Sequence, residues 1–199
     1  QPNPELVRQE WRADRVSPTV DEVIDSLAPA DALPGLPQTG WEETTLLAAA
    51  MATDPVAFVH GVMDANLALA GRIAARPAVR ARLSDELLNE VRWALVRRSR
   101  DREADLRNRI ACAHAVGDLG DPRYERRTGP DGEYLWPPMI EIPGGVYPIG
   151  DDAPSGTAGS GDDEPPEYAP RHRVAIAAFG IGQFAVTNAE WACFVAAGG

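Results

Sequence analysis

The sequence predicts an α+β protein, with an all-helical N-terminal region followed by a mixed region of short strands and one helix. Three observations carry this reading. Residues 41–118 place apolar side chains at helical spacing with no strand-like run between them. From residue 139 the pattern changes to short apolar runs around glycine turns, MIEIPGGVYPIG and HRVAIAAFGIGQF. The 18 glycines and 18 prolines concentrate in 1–40 and 117–171, which marks those stretches as connections. The expected organisation is therefore N-terminal helices and a connector over 1–40, a helical domain over 41–125, a linker over 126–138 and a second domain over 139–199.

In the first stretch, Glu5–Arg12 reads as a short helix, and Ser17–Leu27 as another with Ser17 or Thr19 at its cap and acidic residues in its first turn. Pro29, Pro34, Gly35 and Pro37 then break the chain. The next helix starts near Trp41, with Thr39 as cap and Glu42 as capping-box partner, and sets Trp41, Thr45, Leu46 and Ala49 on one face. Asp54 caps the following helix and Pro55 takes its first position, where a missing N–H costs nothing. Val56, Val59, Val62, Met63, Leu67, Ala70 and Ile73 make one continuous stripe from there.

Arg76-Pro77 interrupts the stripe and a short helical turn follows. Ser84 opens a long helix with Leu87, Leu88, Val91, Leu95 and Val96 inward, ending at the basic strip Arg97, Arg98 and Arg100. A last helix starts at Asp101 or Arg102, with Leu106, Ile110, Ala113 and Val116 on its inner side, and stops at Gly117–Pro122. Stacked antiparallel helix pairs are expected. The segment LRNRIACAHAVGDLGDPRY resembles one unit of the HEAT-type helical repeats, with small residues mid-helix and Leu-Gly-Asp-Pro-Arg as its turn.

In the linker, Thr128–Gly132 is a tight reversal. Tyr134, Leu135 and Trp136 come between that reversal and the stiff Pro137-Pro138, and are expected to pack between the two domains. Beyond it, strands around Ile140 and Val146 flank Pro143-Gly144-Gly145 as one hairpin, and His172–Phe179 with Gly180–Val186 form a second. Residues 151–171 are an acidic loop between them. Thr187 and Glu190 then make a capping box for a helix whose apolar face is Trp191, Phe194 and Val195.

Four of these features stand in a fixed order: Ile142-Pro143-Gly144-Gly145, then Asp163-Glu164-Pro165-Pro166, then His172-Arg173-Val174, then Phe184 through Trp191 with Phe194. Together they resemble the opening of the formylglycine-generating enzyme/sulfatase-modifying factor family. The resemblance implies that 139–199 is the N-terminal part of a C-type-lectin-like α+β domain. It marks Gly144, Gly145, Glu164, His172, Thr187, Asn188, Glu190 and Trp191 as structural motif positions. The family includes a copper-dependent oxidase of sulfatase cysteines, iron-dependent sulfoxide synthases, and binding proteins with no chemistry. Its catalytic cysteine pair belongs to the C-terminal half of its domain, and Cys193 matches neither member. The resemblance therefore brings no catalytic residue, metal ligand or cofactor to this chain.

Elsewhere the residues point away from chemistry. Cys112 and Cys193 have no neighbouring cysteine at metal or redox spacing, and His60 and His114 stand alone in helices. The carboxylates near His172 fall in a proline-containing loop and not in the rigid frame a metal site wants, and the pairs Asp151-Asp152 and Asp162-Asp163 do not have the spacing of a calcium loop. Trp41, Trp93 and Trp191 are expected in packing roles. A net charge of −11, with every basic residue an arginine, opposes a nucleic-acid backbone. No apolar run reaches membrane-spanning length.

The expected function is a non-enzymatic protein- or ligand-binding or scaffold module of a bacterial, cytoplasmic signalling or defence protein. Its expected partner is a protein, in one version the rest of the same protein as a separate chain after nicking beyond Gly199. The alternatives are the front part of a metal-dependent formylglycine-generating-type oxidase, or a purely structural helical scaffold.

Overall fold

The computed structural model describes residues 12–150 and 171–199, in two compact units that divide between Pro122 and Arg123. Residues 5–11 of the helix expected over 5–12, the acidic pairs and Glu164 lie outside the described residues, and Arg12 makes an isolated bridge with Ala104 instead of a helical turn.

The first unit is helical. α1 (Val20–Ser26) starts in a capping box in which the Thr19 hydroxyl accepts from the Glu22 amide and the Glu22 carboxylate accepts from the Thr19 amide. α2 (Glu42–Met51) starts differently from the expected cap. Trp41 is its N-cap residue and makes no side-chain bond, while Thr39 donates both its amide (2.7 Å) and its hydroxyl (2.9 Å) to Glu42. α3 (Pro55–Ala65) is capped by Asp54. The stripe read as continuous through Ile73 is broken at Asn66. The Asn66 amide donates to the Val62 carbonyl, and its side-chain oxygen accepts from the Leu69 amide, so one residue ends α3 and caps α4 (Leu67–Ala75). A single turn, α5 (Pro77–Arg80), leads to α6 (Asp85–Arg100), capped by Ser84.

α7 (Leu106–Leu119) starts at the cap Asp105, beyond the expected Asp101 or Arg102. Its buried face is Arg107, Asn108, Cys112, Ala115, Val116 and Leu119, whereas Leu106 and Ile110 are exposed. Of the expected inner side Val116 is buried, but Leu106 and Ile110 give way to two polar residues: Arg107 with its partners, and Asn108, whose side-chain nitrogen has none among the described residues. Asp105 and Arg107 pair with each other, and Arg107 also donates to the Pro18 carbonyl, which ties the segment before α1 to α7. The Leu119 carbonyl at the far end of α7 accepts from Arg92 of α6.

The core lies among α4, α6 and α7, with Ile73, Val79, Val91, Leu95, Cys112 and Leu119 inside. Gly71 sits at the closest crossing. A Cβ there would come within 2.7 Å of Leu95 Cδ1 and 2.8 Å of Ala115 Cβ, so only glycine allows this approach. Trp41 and Trp93, expected to pack, are both about half exposed.

The second unit is a hairpin, a ribbon and a helix. β1 (Glu125–Gly129) and β2 (Gly132–Trp136) pair antiparallel about the reversal at Pro130-Asp131. They occupy much of the stretch read as linker. β3 (Met139–Ile142) and β4 (Gly145–Ile149) do not pair with each other as expected, and neither do β5 (His172–Ile176) and β6 (Phe179–Gly182). Instead β3 pairs with β6 and β4 with β5. The register is unbroken across the gap. Ile142 faces Phe179 and Gly145 faces Ile176, so both ladders belong to one long ribbon interrupted at Pro143-Gly144. Pro143 has no N–H for the ladder. At Gly144 a Cβ would stand 3.0 Å from the Ala178 nitrogen, which explains the glycine there.

A C-type-lectin-like domain is not what these residues form. Among the described residues every strand sits in a two-stranded ladder and no closed sheet is built. The overall α+β class stands; the lectin-like architecture is withdrawn.

Candidate functional site

In the second unit, α8 (Asn188–Ala196) packs on β2. The helix starts where it does because Thr187 and Glu190 satisfy each other. The Glu190 carboxylate accepts from the Thr187 amide (2.7 Å) and hydroxyl (2.8 Å), and the Thr187 hydroxyl accepts from the Glu190 amide. Asn188 is the first helical residue, between the two members of that box. Between α8 and the β1–β2 turn lie two adjoining hollows of about 320 and 540 Å³, lined chiefly by Asp131, Glu133, Leu135, Cys193 and Ala197.

Of the charged groups around this cleft, Glu190 and Glu133 are engaged, while Asp131 is exposed without a hydrogen-bond or ion-pair partner among the described residues. Glu190 is held by the cap, and Glu133 accepts from Arg126 at 2.9 Å. Cys193 is half-buried and no histidine lines either hollow. The arrangement presents a thiol without a neighbouring base and a mostly apolar floor. Its parts come from positions some sixty residues apart in sequence, and no local motif signals that meeting.

The three linker residues separate. Tyr134 and Leu135 line the cleft against α8. Trp136, at the end of β2 opposite Glu125, is 40% exposed, with the Arg127 guanidinium 4.5 Å above its ring. Arg127 also donates to Glu125 at 2.7 Å, and that bond holds the Glu125 carboxyl below the usual range. Near the start of the unit, Arg123 lies 4.4 Å over the Phe184 ring, which stacks on Tyr124.

Of the motif positions, Gly144 marks the close approach within the ribbon, Gly145 opens β4 and His172 opens β5 opposite Ile149. Trp191 was expected to pack and is instead 58% exposed, its ring 5.0 Å from that of Phe194. Phe194 and Val195 are equally open, at 52% and 54%. The ribbon adds exposed Val146, Ile149, Phe179 and Ile181. Among the described residues from 123 to 199 no residue is buried.

The model of the sulfatase-modifying factor enzyme 1-like domain family matches residues 126–199, under half of the chain. Neither a curated protein nor a solved structure matches. The match corrects the earlier reading of extent. It occupies the C-terminal part of this chain, begins before the expected 139 and takes in the β1–β2 hairpin. It covers none of the helical region, so the HEAT-type likeness gains nothing from it. It carries no bacterial, signalling or defence association, and those assignments are withdrawn together with the lectin-like fold. No helix among the described residues is long and apolar enough to cross a membrane, which does not place the protein in the cytoplasm.

The copper of the oxidase branch does not fit the residues present. Cys193 is the single cysteine from 126 to 199, so a pair of thiolates cannot be assembled there. Among the described residues no three His, Cys, Asp or Glu side chains converge as metal ligands.

Proposed function

We propose that this chain is a non-catalytic protein-binding module, in which the helical unit is a scaffold and the sulfatase-modifying-factor-type unit engages another polypeptide. One observation carries the reading: the second unit has no buried residue among those described, yet presents Trp191, Phe194, Phe179 and Ile181 to the surface. Two-stranded ladders and one helix do not supply a hydrophobic core, and an open apolar surface of this kind marks an interaction site. The partner is a protein segment, in the same polypeptide or a separate one, that completes this core.

The test uses the full-length protein. It is incubated with a thiol peptide and cuprous ion while oxygen is monitored, and it is titrated with an environment-sensitive apolar dye. The proposal expects no oxygen uptake above the protein-free control, and dye binding that falls when Phe194→Glu or Trp191→Glu is introduced. Steady oxygen turnover overturns it.

A second reading, a metal-dependent oxidase, is favoured by the family match itself. It needs ligands from polypeptide other than the residues described. Oxygen turnover that survives Cys193→Ser would support it.

A further inference from the structure

We propose that the helical unit carries a binding site for an organic cation, best matched by an arginine side chain, in the hollow between the start of α2 and the end of α3. The site stands on the first unit alone and goes beyond the reading of the second. The hollow measures about 510 Å³ and is lined by Trp41, Glu42, Asp64 and Asn66, with Thr39 and Thr45 beside them.

Four features give it one chemical character. Trp41 is 47% exposed, and no cationic side chain of the described residues lies over its ring. An open indole face is the strongest aromatic partner for a cation. Glu42 is a fixed anion. Burial alone would raise its pKa, but hydrogen bonds from the Thr39 amide and hydroxyl and the Gly40 amide outweigh it and hold the carboxyl below the usual range.

Asp64 adds a second carboxylate, exposed and without a hydrogen-bond or ion-pair partner among the described residues. It lies in the last turn of α3, where the helix dipole is negative and a cation is preferred, and that turn holds no basic residue. The next acid in sequence from Glu42 shows the contrast: Glu43 is paired with Arg72 at 3.0 Å and approached by Arg76 at 4.0 Å. The hollow thus gathers two carboxylates, a helix C-terminus and an open indole, and no lining residue is cationic.

A guanidinium suits this set. It stacks flat on an indole while its edge N–H groups reach a carboxylate, and it sheds water more readily than an ammonium. The same chemistry could arrive on a protein or as a small guanidine.

The test follows the Trp41 indole N–H signal of the 199-residue chain by NMR, assigned with Trp41→Phe. The chain is titrated with an acetylated Gly-Arg-Gly amide, with its citrulline counterpart, and with methylguanidine. The expected result is a saturable shift with the arginine peptide and none with the neutral citrulline peptide. Asp64→Asn, an exposed change that leaves the core alone, should weaken binding about fivefold or more. Tighter binding of the peptide than of methylguanidine assigns the ligand to a protein, and equal binding assigns it to a small cation. No saturable shift with either guanidine, equal shifts with citrulline, or unchanged affinity in Asp64→Asn overturns the site.

Discussion

Arg107 and Asp105 form an ion pair that water does not reach: Nη2 of Arg107 lies 2.8 Å from Oδ2 of Asp105, with side-chain exposures of 2% and 0%. Asp105 Oδ1 accepts further from the Arg107 amide (2.8 Å) and Nε (3.0 Å), and the arginine donates its remaining reach to the Pro18 carbonyl. One pair therefore caps α7, turns its polar face inward and anchors the chain before α1.

Removing one partner leaves the other charged and dry. Arg107→Ala should lower unfolding stability by about 3–5 kcal/mol. The double change Asp105→Asn with Arg107→Met should cost less than the two single changes together, because no buried charge is stranded. Urea unfolding of Arg107→Ala, of Asp105→Asn and Arg107→Met singly, and of the double variant measures this. A strictly additive result would show that the pair is not coupled.

Two helical glycines should respond to alanine with opposite signs. Gly71→Ala forces a Cβ into Leu95 and Ala115 and should destabilise by about 1–3 kcal/mol despite the better helix propensity. Gly117→Ala, in α7 with nothing within 4 Å of the new Cβ, should stabilise by about 0.5–1 kcal/mol. Thermal melts of both variants give the signs directly.

The cysteines should differ in reactivity. Burial pushes the Cys112 thiol up to about 12, against a smaller opposing effect of Arg98, while Cys193 is only half-buried. Iodoacetamide at neutral pH should label Cys193 in the native protein and both cysteines in denaturant. The linked effect on stability has a definite sign. Above the ordinary thiol range and up to about pH 12, the unfolded chain releases a proton that folded Cys112 keeps, so stability falls as pH rises through that window. Cys112→Ala should flatten that decline.

The Trp136 ring lies under the Arg127 guanidinium. With 40% of its surface open, Trp136→Ala should leave the melting temperature of the helical unit within about 2 °C of the parent. Limited proteolysis should cut faster near 125–138 in that variant. Unchanged digestion would show that the β1–β2 hairpin does not depend on the stack.

Caps and breaks were the most legible part of the sequence. Asp54-Pro55, Ser84 and the Thr187–Glu190 box each set a helix start from residues within three positions of one another. The inner face of α7 was not legible, because apolarity pointed to Leu106 and Ile110 while burial went to Arg107 and Asn108. A charged residue reads as exposed until its partners are known, and one of those partners is Pro18. Strand pairing failed for a related reason. Pro143-Gly144-Gly145 looks like a turn, but in the ribbon it is an interruption in an extended strand, and the true partners lie beyond a long connection. The cleft beside α8 depends on the same kind of distant meeting.

The ribbon also sets an order of events. Its ladders join Ile149 to His172 and Met139 to Gly182, partners well separated in sequence. Such closures are entropically costly and slow, whereas α6 and α7 meet across a connection of a few residues. The helical unit should therefore be assembled while β3 and β4 are still waiting for their partners. During that interval the apolar strands MIEI and GVYPI are bare on both edges, and this is when the chain is most exposed to pairing with another copy of itself.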